Sequence, residues 1–362
     1  MGTSRVPSDP STLMGHPWPM RVLYFGTYER AYPRNAQVIS CLRGAGVEVA
    51  ERHVPVWDGR EHKWSAGPLA ALRLAGAEAR LLVRPREAFD ALLVGYPGQL
   101  DLPAARRAAG SRPVVFNPLV SLSDTLVGDR ARFHAGGFAD RMLRAIDRHA
   151  LRAADLVVSD TAANADLFRS LGAGRVEVCF VGAEERVFKP GWAGGGPALF
   201  VGKLIPLHGL ETILAAARLA PDLRFRIVGS GQLDHLLADR PANVEHVPWV
   251  EYEDLPEELH HASCALGIFG TSAKAARVIP NKVFQALACG TPVVTADTPA
   301  ARELLEDGQS ALLIPPGDPE ALVAAIRRIT PEIGAGGLAA YLGRASEAVL
   351  GARWRELIEG LL

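Results

Sequence analysis

Residues Leu266–Thr295 read LGIFGTSAKAARVIPNKVFQALACGTPVVT. The opening run is apolar and ends at Gly267-Ile268-Phe269-Gly270, the signature of a buried strand. A polar loop with Lys274 and Arg277 follows, and Pro280 leads a helix expected over Asn281–Ala288. Another apolar strand is expected at Pro292–Ala296. Strand, loop, helix and strand in that order make a parallel crossover, with helices covering both faces of the sheet. Backbone amides near Gly270 and a helix N-terminus form an anion site, and Lys274 or Lys282 adds positive charge. A nucleotide pyrophosphate fits such a site. The plain alternative is an ordinary connection carrying solvated lysines.

The same alternation extends on either side. Strands are expected at Ala198–Val201, Leu223–Val228, Val244–Val247, Ala265–Phe269 and Ala311–Ile314. Helices are expected at Leu210–Leu219, Pro256–Ala262, Ala300–Leu305 and Pro319–Ile329, with a final helical segment over Gly337–Leu362. Phe200–Leu210 (FVGKLIPLHGL) repeats the theme: a strand ends at Gly202, and Lys203 and His208 precede the next helix. Lys203 can place a point charge on a diphosphate; the plain alternative is a surface lysine, and His208 can simply cap the helix. Upstream, Lys189–Pro197 (KPGWAGGGP) reads as a linker. Before it, strands are expected at Arg21–Gly26, Val47–Val54, Asp90–Gly95, Pro113–Phe116, Asp155–Ser159 and Val176–Val181. Helices are expected at Ala36–Gly44, capped by Asn35, and at Leu69–Arg84 and Phe138–Ala154.

The chain's 362 residues exceed what one core usually serves, so two doubly wound domains facing a cleft are expected. The division is a disordered leader over 1–20, an acceptor domain over 21–190, a linker over 191–197 and a donor domain over 198–336. The segment 337–362 is expected to pack back toward the first domain. A net charge of -1 argues against a nucleic-acid surface. No run approaches a membrane-spanning length. Cys41, Cys179, Cys264 and Cys289 lack metal-site spacing and read as reduced thiols of a cytoplasmic protein. Lys63–Arg86 places Lys63, Arg73, Arg80, Arg84 and Arg86 among Trp64 and several leucines. It reads as a packing helix with a basic edge, so membrane contact is at most peripheral.

Two loops of the first half carry polar groups directly after strands, where ligands bind in open parallel sheets. Thr27–Arg34 holds Tyr28, Arg30 and Arg34, and its length suits a loop over the cleft. Asn117–Arg130 holds Asn117, Ser121, Asp124 and Arg130, with His134 nearby. Asp124 has helix capping as its alternative role.

The order VGKLIPLHG, IVGSGQ, PWVEYEDLP, IFG, PNKVFQALACGTPVV and ARELLEDGQSALLIPPGDPEAL resembles glycosyltransferase family 4, the retaining group with the GT-B fold. AADLVVSDTAANADLF followed by VGAEERVFKP belongs to the same resemblance, which runs from Arg21 to about Ile329. It is nearest to bacterial members with a GIFG…K…RVIPNK segment. The likeness implies a retaining transfer from a nucleotide diphosphate-sugar, which is a substrate and not a tightly bound cofactor. The acceptor is a hydroxyl of a glycan, a lipid-linked molecule or a small molecule. It implies that Lys203 contacts the donor diphosphate and that the turn at Gly270 and Thr271 holds the phosphates and sugar. Gln285 matches a ribose-binding glutamate, and Gly26 matches the first-strand loop facing the phosphates. Gly202, Lys274, Asn281 and Lys282 complete the expected donor set. Tyr28, Arg34, Asn117 and Asp124 form the acceptor side, with Lys203 and Asp124 as the catalytic pair.

The chain departs from the family pattern where many members carry two glutamates: it has Arg277 and Gln285. An amide still bonds ribose hydroxyls, whereas a guanidinium cannot replace a carboxylate. His208 stands where many members have a second basic residue. No D-x-D pair occurs, so the leaving diphosphate must be neutralised by the protein's own cations and amides, without metal. The rival functions are a nucleotide-sugar-binding protein without catalysis and a GT-B-like nucleotide-sugar 2-epimerase. A dehydrogenase is disfavoured, because Gly229-Ser230-Gly231 only partly matches a dinucleotide fingerprint.

Overall fold

The computed structural model describes residues 19–30, 32–56 and 68–362. Residues 1–18 of the expected leader, together with Lys63 and Trp64, lie outside the described residues. The first half runs β1 (Arg21–Gly26), α1 (Pro33–Gly44), β2 (Glu48–His53), α2 (Pro68–Leu81), β3 (Ala91–Val94), α3 (Leu102–Ala109) and β4 (Val114–Phe116). A π-helical turn (Asp124–Asp129) leads to α4 (Phe138–Ala153), β5 (Leu156–Ser159), α5 (Ala162–Ser170) and β6 (Val176–Val178). The strands are parallel, in the order β2-β1-β3-β4-β5-β6. Every residue of β3, β4 and β5 is buried, as helices on both faces require.

The second half runs β7 (Ala198–Val201), α6 (Leu210–Leu219), β8 (Phe225–Val228), β9 (Val244–Val247), α7 (Leu255–His261) and β10 (Cys264–Leu266). It continues with α8 (Asn281–Cys289), β11 (Val293–Ala296), α9 (Pro299–Arg302), β12 (Leu312–Ile314) and α10 (Pro319–Arg327). Its parallel order is β12-β11-β10-β7-β8-β9. In each sheet the order reverses beside the first strand, β1 or β7. The carboxyl ends of β1 and β3, and of β7 and β10, therefore bound the crevices where ligands settle. This is the two-domain, Rossmann-like GT-B architecture.

The final segment is two helices, α11 (Pro331–Arg344) and α12 (Glu347–Glu359), starting ahead of Gly337 because Pro331 opens the first turn. Helix α12 lies on α1. Gly351 permits the approach, since a Cβ there would meet the Cys41 carbonyl at 2.5 Å. Trp354 is fully buried, and Arg353 binds Glu177 at 2.9 Å. The domains also share an apolar core, in which Tyr96, Leu119 and Phe188 meet Ile279, Phe284 and Tyr341.

One local expectation is corrected. Helix α1 begins at Pro33, so Asn35 does not cap it. The Asn35 side chain instead bonds the Tyr24 hydroxyl and both backbone groups of Tyr96, tying β1 to the loop after β3. Helices α3 and α5 and the π-turn add to the expected elements. Thr161 caps α5 through the Asn164 amide. All four cysteines are buried free thiols. No helix among the described residues is long and apolar enough to cross a membrane.

Candidate active site

Three glycine-bearing loops meet at the carboxyl ends of β7, β8 and β10. Gly202 has φ +143°, and Gly229 lies so close that an added Cβ would stand 2.0 Å from the Gly202 carbonyl oxygen. Gly209 has φ +70°, and a Cβ there would meet Phe269 and Gly270 backbone at 2.7 and 2.8 Å. A Cβ on Gly270 would stand 2.4 Å from the Leu207 carbonyl oxygen. The β7 loop carrying Lys203 and the β10 loop carrying Thr271 are therefore packed backbone against backbone. Only glycine allows this approach.

His208 is buried there, with Nδ1 2.5 Å from the Lys203 carbonyl oxygen. That carbonyl can only accept, which assigns the proton to Nδ1. Burial, reinforced by the charge of Lys282, pushes the imidazole well below its usual range, so it is neutral. His208 does not cap α6; Gly209, in the left-handed region, occupies the cap position.

Lys282 lies in the first turn of α8, a helix with neither a side-chain cap nor an acidic residue at its start. Its Nζ is buried, rests 3.5 Å from the Phe200 ring centroid and has no hydrogen-bond partner. A Cβ on Gly202 would come within 3.0 Å of it. Burial holds this ammonium well below the usual lysine range. An unpartnered lysine, an uncapped helix start and neighbouring glycine loops are together the arrangement that suits an anion. Asn281 shares this helix start, and Thr271 packs near Gly317.

Lys274 and Arg277 are not solvated lysine and arginine of a plain loop; both side chains cross to the first domain. Lys274 Nζ donates to Thr125 Oγ1 at 2.9 Å and lies 3.7 Å from Asp129. Arg277 Nη2 donates to Asp124 Oδ1 at 2.7 Å, with both side chains one-fifth exposed. Asp124 thus faces the donor loop across the cleft and does not act as a helix cap. Thr161 Oγ1 also donates to the Arg277 carbonyl, and Glu303 accepts from the Ala162 and Ala163 amides at the start of α5. The two halves are held shut by these contacts. Gln285 lies beside Tyr252, whose hydroxyl donates to Glu184 at 3.1 Å.

In the first domain, Gly26 ends β1 with φ +126°, and a Cβ would stand 2.0 Å from Asp101 Oδ2. Asp101 accepts from the Thr27 amide and hydroxyl, which closes the turn. In the Thr27–Arg34 loop, Tyr28 and Arg30 fold against β2, whereas Tyr32 packs on the core that the domains share. Glu51 draws the first two there by accepting from Tyr28 Oη at 2.8 Å and Arg30 Nε at 3.1 Å. Arg34 is wholly buried; it donates to the Phe180 and Cys179 carbonyls and to Asn117 Oδ1, and lies over Trp354. The hydrogen bonds of Tyr28, Arg34 and Asn117 therefore lie inside the first domain, Tyr28 drawn by Glu51 and Arg34 enclosed by backbone carbonyls and Trp354. Arg130, absent from the expected set, stands at the cleft end of the π-turn with a side chain one-quarter exposed. A separate cavity of about 1040 Å³ lies between β9 and α7, away from the glycine loops. Arg226 at its wall is already held by Glu245 and Glu258.

The first half of the chain matches the glycosyl transferase 4-like domain over residues 13–184, and the second matches glycosyl transferases group 1 over residues 197–331. A phosphatidyl-myo-inositol mannosyltransferase of Mycobacterium leprae is 32% identical over 142 residues, 36% of this chain and 36% of that protein. A D-inositol 3-phosphate glycosyltransferase of Mycolicibacterium gilvum is 29% identical over 233 residues, 56% of this chain and 51% of that protein. The chain therefore spans between about a third and a half of these relatives' length. Among solved structures, sucrose-phosphate synthase of Thermosynechococcus elongatus is similar with a TM-score of 0.73 and 17% identity, covering 95% of this chain and 99% of that one. HepE of Anabaena, crystallised with UDP-glucose, is similar with a TM-score of 0.66 and 17% identity, covering 94% and 100%. With both domain models matched in sequence and the two facing sheets matched in space, the chain belongs to the family 4 glycosyltransferases of the GT-B fold.

Proposed function

We propose that the protein moves a sugar from a nucleoside diphosphate donor to an acceptor hydroxyl, with retention and without a metal. The observation that carries this reading is the bare Lys282 ammonium beside Gly202, where the glycine loops converge. Lys203, Lys282 and the Gly270 amides hold the diphosphate, with Gly202 and Gly26 leaving room for it. Thr271 and Asn281 line the same side, Lys274 supports it electrostatically, and Gln285 bonds the ribose. Asp124, oriented by Arg277, is the acceptor-side carboxylate. In this mechanism the acceptor oxygen attacks the anomeric carbon from the face the phosphate leaves. The anomeric C–O bond breaks, and the acceptor proton passes to the departing phosphate oxygen. Fixed cations stabilise the charge that develops there, and the closed cleft excludes water. The relatives' names point to acceptors related to inositol phosphates, in a cytoplasmic enzyme with at most peripheral membrane contact.

A nucleotide-sugar-binding protein without turnover is the second reading, favoured by Arg277 being spent on Asp124. A thermal-shift panel of UDP, GDP, ADP, TDP and their sugar conjugates tests the donor site. One nucleotide should raise the melting temperature selectively. No response to any of them sinks both readings. A donor that binds but is neither hydrolysed nor transferred to any polyol acceptor supports the second.

A further inference from the structure

Arg130 belongs to the first domain, yet its surroundings are drawn from both. Its charge acts on Tyr32 and Tyr96 on its own side, and on His208 and Lys274 across the cleft. Its Nε is buried and has no hydrogen-bond partner. Asp129 stands 3.6 Å from that Nε, too far for a hydrogen bond, and the same oxygen lies 3.7 Å from Lys274. The other Asp129 oxygen is also buried and unpartnered. One carboxylate is thus stretched between two cations and satisfies neither. Nearby, Arg277 takes up Asp124, and Lys282 has no carboxylate at all. Four basic side chains (Arg130, Lys274, Arg277 and Lys282) therefore stand with two carboxylates, Asp124 and Asp129. The imbalance favours an anion.

We propose that Arg130 and Lys282 grip one phosphate group between them, Arg130 being the first domain's contact to it. A guanidinium fork suits a phosphate, and its unpaired Nε–H is the donor held ready. The phosphate comes from the donor's diphosphate or from a phosphorylated acceptor. The donor case rests on the cleft being the nucleotide-sugar site. Because Arg130 and Lys282 belong to different domains, a shared phosphate adds one more tie across the cleft to those of Arg277 and Lys274.

The test is isothermal titration of wild type, Arg130→Gln and Arg130→Lys. The probes are the tightest-binding member of UDP, GDP, ADP and TDP, its parent nucleoside, and inorganic phosphate added to nucleotide-loaded protein. If the donor supplies the phosphate, Arg130→Gln loses about tenfold or more in diphosphate affinity, a charge-assisted contact's worth. Nucleoside affinity stays unchanged, and Arg130→Lys recovers part of the loss. If the acceptor supplies it, diphosphate affinity holds while inorganic phosphate binding to the loaded protein disappears. Unchanged affinity for both probes overturns the proposal. Wild type that binds no diphosphate refutes the donor reading separately, and inorganic phosphate added to the free protein then decides Arg130 alone. Melting curves of the variants exclude a folding defect.

Discussion

Replacing Lys282 with methionine should move stability and ligand affinity in opposite directions. Methionine keeps the unbranched stem and its packing, so the change removes mainly the ammonium. In the ligand-free protein that ammonium is buried without a hydrogen bond, a penalty of about 1–3 kcal/mol. Its position over Phe200 returns about 0.5–2 kcal/mol. The net gain for Lys282→Met is about 1 kcal/mol, or roughly 2–4 °C in melting temperature for domains of this size. The gain has a defined pH dependence. Burial depresses the folded-state pKa well below 10.5, so between those values the unfolded chain binds more protons. Wild-type stability therefore rises with pH through that window, and the variant lacks this slope. The gap should be widest at neutral pH and narrow as pH approaches 10. In the same variant, affinity for the bound nucleoside diphosphate should fall about tenfold or more, with nucleoside affinity intact. Melting curves at pH 7 and 9.5, with titration calorimetry, measure both. A variant that melts below wild type at pH 7, or binds the diphosphate equally well, refutes the reasoning.

Lys203→Ala should cut turnover roughly tenfold or more, as loss of a preorganised charge at the leaving group does; full activity in the folded variant removes Lys203 from the diphosphate. Treatment with a chelator should leave the rate largely intact; complete loss that magnesium restores would refute the metal-free mechanism. Arg277→Ala should destabilise the closed protein by about 2 kcal/mol, below the fully buried range because the pair is one-fifth exposed. Asp124→Asn in the Arg277→Ala background should then cost much less than it does alone; additive losses in denaturant unfolding would show that the two do not form a pair.

What the sequence discloses depends on how local the cause is. The strands around Gly26, Gly202 and Gly267 are legible because an apolar run ending in glycine is a short-range pattern. The proposed anion site is legible for the same reason, since a glycine loop, a helix start and its lysine adjoin in the chain. Arg34 reads as a ligand residue because nothing near it announces Phe180, Cys179 and Trp354, which enclose it from distant elements. Tyr28 and Arg30 turn away from the cleft because of Glu51, on the neighbouring strand. Asp124 and Arg277 are 153 positions apart, so their pairing exists only once the domains face each other. Arg130 is visible as a polar residue of its loop, but its proximity to His208 and Lys274 on the opposite side is not.

Helix α12 imposes an order on synthesis. The first domain leaves the ribosome long before the residues that cover α1 have been translated. Until Trp354 arrives, Arg34 lacks its aromatic lid, and the backbone of α1 that Gly351 approaches is open to water. The nascent first domain is therefore an unfinished body with an apolar scar, open to chaperones and proteases while the second is being made. A helix built after the second domain completes the first, so a ribosome that stalls before α12 releases a chain whose earlier-made half remains unsealed.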